Sequence, residues 1–151
     1  MATPRLVSLV ALPEAAASTL LGIFDVMNAF NVAGLGLPDA PFRVEIAGEA
    51  TGTLRLTGGV PVEVLRPVDA LESSDIVIVP SVVVPAGGWE KGRYARLVRW
   101  AGRMHEQGAL LCSACSGIFL LAETGLFDGK DATVHYAYAR LFSRAYPAVR
   151  I

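Results

Sequence analysis

The spacing of apolar positions changes several times along the chain, and each change marks an element. Residues 5–12 are apolar almost without interruption until Pro13, the pattern of a strand covered on both faces and so of a central strand in a parallel sheet. From Glu14 to about Phe30, Leu20, Ile23, Phe24, Met27 and Phe30 recur three and four apart. That spacing predicts a helix with one apolar face, the first crossover, which Gly34-Leu35-Gly36 is expected to end. Residues 42–47 alternate apolar and polar like an exposed or edge strand. Residues 53–57 and 60–64 flank Gly58-Gly59, which predicts a hairpin closed by a two-residue turn, an insertion rather than a crossover.

The second half returns to strand and helix in alternation. Residues 75–79 read as a buried strand, and 90–107 as a helix with Tyr94, Leu97, Val98, Ala101 and Met104 on its inner face. Residues 109–112 predict a further buried strand, 116–124 a short helix stopped by Gly125, and 127–130 a turn. A short extended stretch over 132–135 and a helix over 136–146 follow. Repeated β-α units imply an α/β fold: a doubly wound, mostly parallel sheet with sites at the carboxyl ends of its strands. Residues 148–151 read as the start of another strand, so the domain, residues 1–151, is expected to be truncated at its C-terminus. The sequence carries no internal repeat, low-complexity segment or interdomain linker.

Composition narrows the partners. A chain of 151 residues fits one domain, and 13 basic against 14 acidic residues leave a net charge of −1. There is no overall electrostatic reason to bind nucleic acid, an anionic membrane or an acidic partner. The most apolar run, residues 76–85, is interrupted by Pro80 and far shorter than the roughly 20 residues that span a bilayer. No membrane segment and no secretory signal are read, and the protein is expected to be cytoplasmic.

The chemistry concentrates at Cys115, where an apolar strand runs through small residues, Ser113, Ala114, Ser116 and Gly117, into a helix. A strand–nucleophile–helix turn needs small neighbours because the backbone bends sharply and the helix approaches the sheet closely. A thiol at a helix N-terminus is placed where the thiolate is favoured. Cys112-Ser-Ala-Cys115 also fits C-x-x-C, but Cys112 is expected to lie within the buried strand, which argues against a dithiol redox pair. His135 is the candidate base for Cys115, on the expectation that it ends a strand on the same face. His105 reads as solvated, and two histidines with two cysteines at these spacings make no zinc site. Arg93, Arg96, Arg99 and Arg103 flank the 90–107 helix and read as a solvated face rather than a DNA contact.

Residues from Ser113-Ala-Cys-Ser-Gly-Ile-Phe-Leu-Leu-Ala-Glu-Thr-Gly-Leu-Phe-Asp-Gly-Lys-Asp-Ala-Thr-Val-His135-Tyr-Ala-Tyr to Tyr146-Pro-Ala-Val-Arg-Ile151 resemble the DJ-1/PfpI superfamily of class I glutamine amidotransferase-like domains. The likeness is nearest to the N-terminal domain of AraC-type transcriptional regulators, with isonitrile hydratases as relatives. It extends over essentially the whole chain and is strongest from residue 109 onward. It implies a flavodoxin-like three-layer sandwich with a nucleophile-elbow cysteine, and a homodimer. By the resemblance, Cys115 corresponds to the nucleophile, Ser116 to an oxyanion-site N–H, and His135 to the facing histidine. Two positions depart from the enzymes. Their first-helix acid, six positions before Asp25-Val-Met27, is Thr19 here, and the Gly-Gly that follows their strand-ending proline is Ser81-Val82.

The resemblance with these departures implies a ligand-sensing and dimerisation domain without catalytic activity. Its small-molecule pocket is expected at Cys115, Ser116, His135, Thr19, Ser81 and Val82, without metal or cofactor, and DNA would be read by a C-terminal helix-turn-helix domain absent from these residues. The alternative is a cysteine-dependent hydrolase or hydratase. A third reading is an oxidation sensor at the same thiol.

Overall fold

The computed structural model describes residues 3–32 and 40–151; the expected break at Gly34-Leu35-Gly36 lies outside them. Five strands form the main sheet: β1 (Arg5–Val10), β2 (Phe42–Gly48), β5 (Arg66–Pro67), β6 (Ile76–Val79) and β7 (Leu110–Ser113), in the order β5-β2-β1-β6-β7. All pairings are parallel, with Arg5 opposite Phe42 and Val7 opposite Ile76. The apolar run of β1 takes the centre, and Val7, Leu9 and Val10 are buried, as two covered faces require. The helices are α1 (Ala17–Val32), α2 (Ala95–Glu106), α3 (Ile118–Ala122) and α4 (Ala139–Ala145). The β1-α1-β2 and β6-α2-β7 connections step in opposite directions from the centre, so right-handed crossovers put their helices on opposite faces.

The hairpin is a separate two-stranded sheet of β3 (Gly52–Arg55) and β4 (Pro61–Val64). Its closure differs from the expected two-residue turn. Leu56 N–H bonds Val60 O at 2.9 Å and Gly59 N–H bonds Leu56 O at 2.8 Å, which leaves Thr57, Gly58 and Gly59 as a three-residue loop. Thr57 is drawn out of the ladder because its N–H donates to Ala15 O at 3.2 Å. Gly58 and Gly59 sit at φ 84° and 83°, which only glycine adopts freely. Gly48 lets the hairpin lie over the sheet, since a Cβ there would come within 3.2 Å of Val64.

Four further expectations are corrected. Residues 42–47 are not an edge strand, because β2 lies between β1 and β5; their alternation survives because β5 covers only Ala47 and Gly48. The first helix starts at Ala17 rather than Glu14, since residues 14–16 bond 81–83 and Thr57 instead. β7 is not fully buried: it is the outer strand among the described residues, with Leu110 60% exposed and Cys112 half-buried. Residues 132–135 form no strand of the sheet. Asp131 pairs in parallel with Arg150 and Ala132 N–H bonds Arg150 O at 2.8 Å, so this segment's partner is residues 148–150.

Packing on the α2 side centres on two aromatic residues. Trp100 is fully buried and its Nε1 donates to Leu71 O at 3.2 Å. Phe119 of α3 meets Phe142 edge-on at 5.0 Å and lies about 6 Å from Trp89, Tyr138 and Tyr146, tying α3 to α4. Among the described residues no helix is long and apolar enough to cross a membrane.

Candidate functional site

Cys115 follows β7 directly. Ala114 N–H bonds Val79 O at 2.9 Å, and the chain then reverses through Cys115 at φ 50°, the one described non-glycine residue with positive φ. Such a conformation is strained for a residue with a Cβ, and strain of this kind collects at functional turns. A single 3₁₀ turn, Cys115–Gly117, leads into the five-residue α3, so the dipole behind the thiol is short. Gly117 is fixed by close approach: a Cβ would lie 2.5 Å from both Val79 O and Pro80 O. Cys115 is exposed, whereas burial pushes the Cys112 thiol above its ordinary pKa, which disfavours the reactive form of the second cysteine.

Beside this turn, four of the expected site residues are bonded to one another. Ser116 is 1% exposed. Its Oγ accepts from Val82 N–H at 2.9 Å and donates to Val82 O at 2.6 Å. With that proton committed, the 3.0 Å contact to Ser81 Oγ has Ser81 donating. Thr19 Oγ1 accepts Ser81 N–H at 3.1 Å and donates to Ala16 O at 3.0 Å. The remaining main-chain groups of the segment are also engaged: Ala16 N–H bonds Ser81 O and Val83 N–H bonds Glu14 O, both at 2.8 Å. Thus the N–H groups of Ser81 and Val82, the pair that departs from the enzymes' Gly-Gly, are satisfied inside the protein by the hydroxyls of Thr19, the other departing position, and Ser116.

His135 is not part of this cluster. It caps the following 3₁₀ turn, its Nδ1 accepting Ala137 N–H at 3.2 Å, and its ring lies 4.6 Å from that of Tyr136. Among the described residues no hydrogen bond joins it to Cys115. His105 is exposed, as expected of a solvated residue, and Arg96 pairs with Asp69 at the surface. Among the described residues no group of three or more His, Cys, Asp or Glu could hold a metal ion.

A cavity of about 320 Å³ opens elsewhere at the carboxyl ends of β1 and β2, under the hairpin and against the start of α2. None of the six expected residues lines it. Its walls include Leu12, Glu49, Leu54, Arg93, Tyr94 and Leu97. Arg93 pairs with Glu14 at 2.8 Å, and the Tyr94 hydroxyl donates to the same carboxylate. Burial, that hydrogen bond and the nearby charges of Glu14 and Glu49 hold the Tyr94 phenol well above its ordinary pKa. The sequence marked Tyr94 only as core and Arg93 only as solvated; no spacing links them to Glu49, because the residues come from different elements.

The fold and this turn define a class: flavodoxin-like α/β sandwiches whose cysteine sits between a parallel strand and a helix. The model of the DJ-1/PfpI family matches residues 8–146, and the chain belongs to that family. It is 24% identical over 135 residues to the HTH-type transcriptional regulator CdhR of Pseudomonas aeruginosa, a match covering 88% of this chain and 38% of that protein. The chain therefore spans well under half the length of that curated relative. Among solved structures, an AraC family transcriptional regulator from Pseudomonas putida superposes with a TM-score of 0.76 at 18% identity, covering 98% of this chain and 76% of that one. Drosophila melanogaster DJ-1beta gives 0.69 at 17% identity, over 92% and 70%. At these identities the structural likeness establishes the fold.

Proposed function

We propose that this is the ligand-sensing, non-catalytic domain of an AraC-type transcriptional regulator, acting as a homodimer in the cytoplasm, with its DNA-reading part outside these residues. The observation that carries the reading is the engagement of the Ser81 and Val82 N–H groups by Thr19 Oγ1 and Ser116 Oγ. A cysteine enzyme needs free donors aimed at the negative charge of its transition state, and one such donor is worth about 2.7–4 kcal/mol. Here the 81–82 donors would have to break internal bonds first. Thr19 also offers no carboxylate to the thiol, and His135 is held in its own turn. The likeness to CdhR and to the Pseudomonas putida regulator supports the regulatory role. Val26 and Phe30, 68% and 41% exposed on α1, offer an apolar face to a second copy.

The alternative cysteine hydrolase or hydratase is favoured by one observation, the exposed Cys115 at φ 50°. Turnover of isonitriles and α-oxoaldehydes by the wild-type protein and Cys115→Ser separates the two. The sensor reading expects no turnover that depends on Cys115. Turnover that disappears with the thiol contradicts it and establishes the enzyme.

A further inference from the structure

The cavity under the hairpin contains an electrostatic imbalance. Its lining is largely apolar, with Leu12, Leu54, Val64 and Leu97 among its walls, and its volume of about 320 Å³ falls within the range of small-molecule sites. It also lies at the carboxyl ends of neighbouring parallel strands, where open α/β sheets bind ligands. Two charged residues line it, Glu49 and Arg93. The charge of Arg93 is already answered by Glu14 at 2.8 Å. Glu49 is half-buried and, among the described residues, accepts no hydrogen bond and forms no ion pair. Its charge is felt by the Tyr94 phenol and by the Arg96 guanidinium, whose own ion pair is with Asp69. A half-buried carboxylate with no bonded partner, beside apolar side chains, is open to a charge-assisted bond from a cation.

We propose that this cavity is the ligand site of the domain and takes a small organic ammonium ion, its apolar body between Leu54, Val64 and Leu97 and its charge against Glu49. The assignment deepens the sensor reading and rests on it for its biological role. It moves the ligand away from Cys115, to a site whose floor is strand ends and whose roof is the inserted hairpin. An anion would face the unbalanced negative charge, and a neutral molecule would leave Glu49 without a partner.

The test is a titration of the ¹⁵N-labelled 151-residue protein with ethyl- to hexylammonium and benzylammonium ions, using the matched alcohols and carboxylates as controls at constant ionic strength. The expected result is saturable amide shifts over residues 48–54 and at Tyr94 and Leu97 with the ammonium ions only. Glu49→Gln should weaken binding about tenfold or more, the worth of one charge-assisted contact, and Leu54→Trp should abolish it by filling the space. Shifts centred on residues 81–82 and 115–117 overturn the location. An equal response to alcohols or carboxylates overturns the ligand class, and no saturable response to any ammonium ion overturns the proposal. These outcomes are separate from the turnover test: Cys115-dependent chemistry would remove the sensor reading, whereas absent shifts remove only this site.

Discussion

The Ser116 hydroxyl binds both main-chain groups of one residue, accepting from the N–H of Val82 and donating to its carbonyl, and the character of the turn follows from that side chain. Ser116→Ala leaves the buried Val82 amide without its acceptor, and an unsatisfied buried group costs about 1–3 kcal/mol. Urea unfolding should show that loss as a lower midpoint with unchanged slope. Tyr146 gives the opposite case. Its hydroxyl is buried with no hydrogen-bond partner among the described residues, so Tyr146→Phe should leave stability unchanged or raise it in the same assay. Tyr94 adds a pH dependence. Its phenol titrates higher in the folded protein than its ordinary value of about 10. The folded state thus holds that proton more tightly. The resulting stabilisation is complete below pH ~10 and is lost as pH rises toward and through the folded value. Tyr94→Phe should flatten the alkaline limb of stability against pH. Cys115 and Gly117 were legible from sequence because small residues around a strand-to-helix turn have one evident geometric use. The engagement of the Ser81 and Val82 amides was not, because it depends on which hydroxyl rotamers reach across from α1 and the α3 turn.

At the scale of elements, the approach of the 115–117 turn to β6 is the tightest contact found at any glycine among the described residues. Gly117→Ala would place a methyl 2.5 Å from the carbonyl oxygens of Val79 and Pro80. Both are backbone and cannot swing aside, so the variant should lose about 1–3 kcal/mol or more, or fail to fold, read by circular dichroism and urea unfolding. Unbroken apolar runs located β1 and β6, and spacing located the hairpin and most of the inner face of α2, which also includes the fully buried Trp100 that the sequence reading left out. Such patterns failed where pairing decides. Residues 132–135 are extended and partly apolar, yet their partner is the 148–150 segment and not the sheet. That error displaced His135, whose expected position depended on a sheet strand that does not form.

For the whole molecule, the fold was far more legible than the site. Alternating β-α units imply the mostly parallel sheet, and the unbroken apolar run of residues 5–12 implies the central place of β1; the strand order and the short β5 come from the structure alone. The cavity under the hairpin gathers Glu49 from a loop, Leu54 from β3, Leu97 from α2 and Arg93 from the turn before it, and no local pattern announces such a meeting. The molecule thus has two regions of different character: a cysteine turn whose neighbouring amides are internally bonded, and a separate cavity with an unbalanced carboxylate. The claim on which the rest depends is that the Ser81 and Val82 amides are engaged inside the protein. Residue-resolved amide hydrogen exchange measures this directly. The account predicts slow exchange at both, with Thr19→Val releasing Ser81 and Ser116→Ala releasing Val82. Exchange at the unprotected rate in the wild-type protein would contradict it, leaving both donors free for chemistry at Cys115.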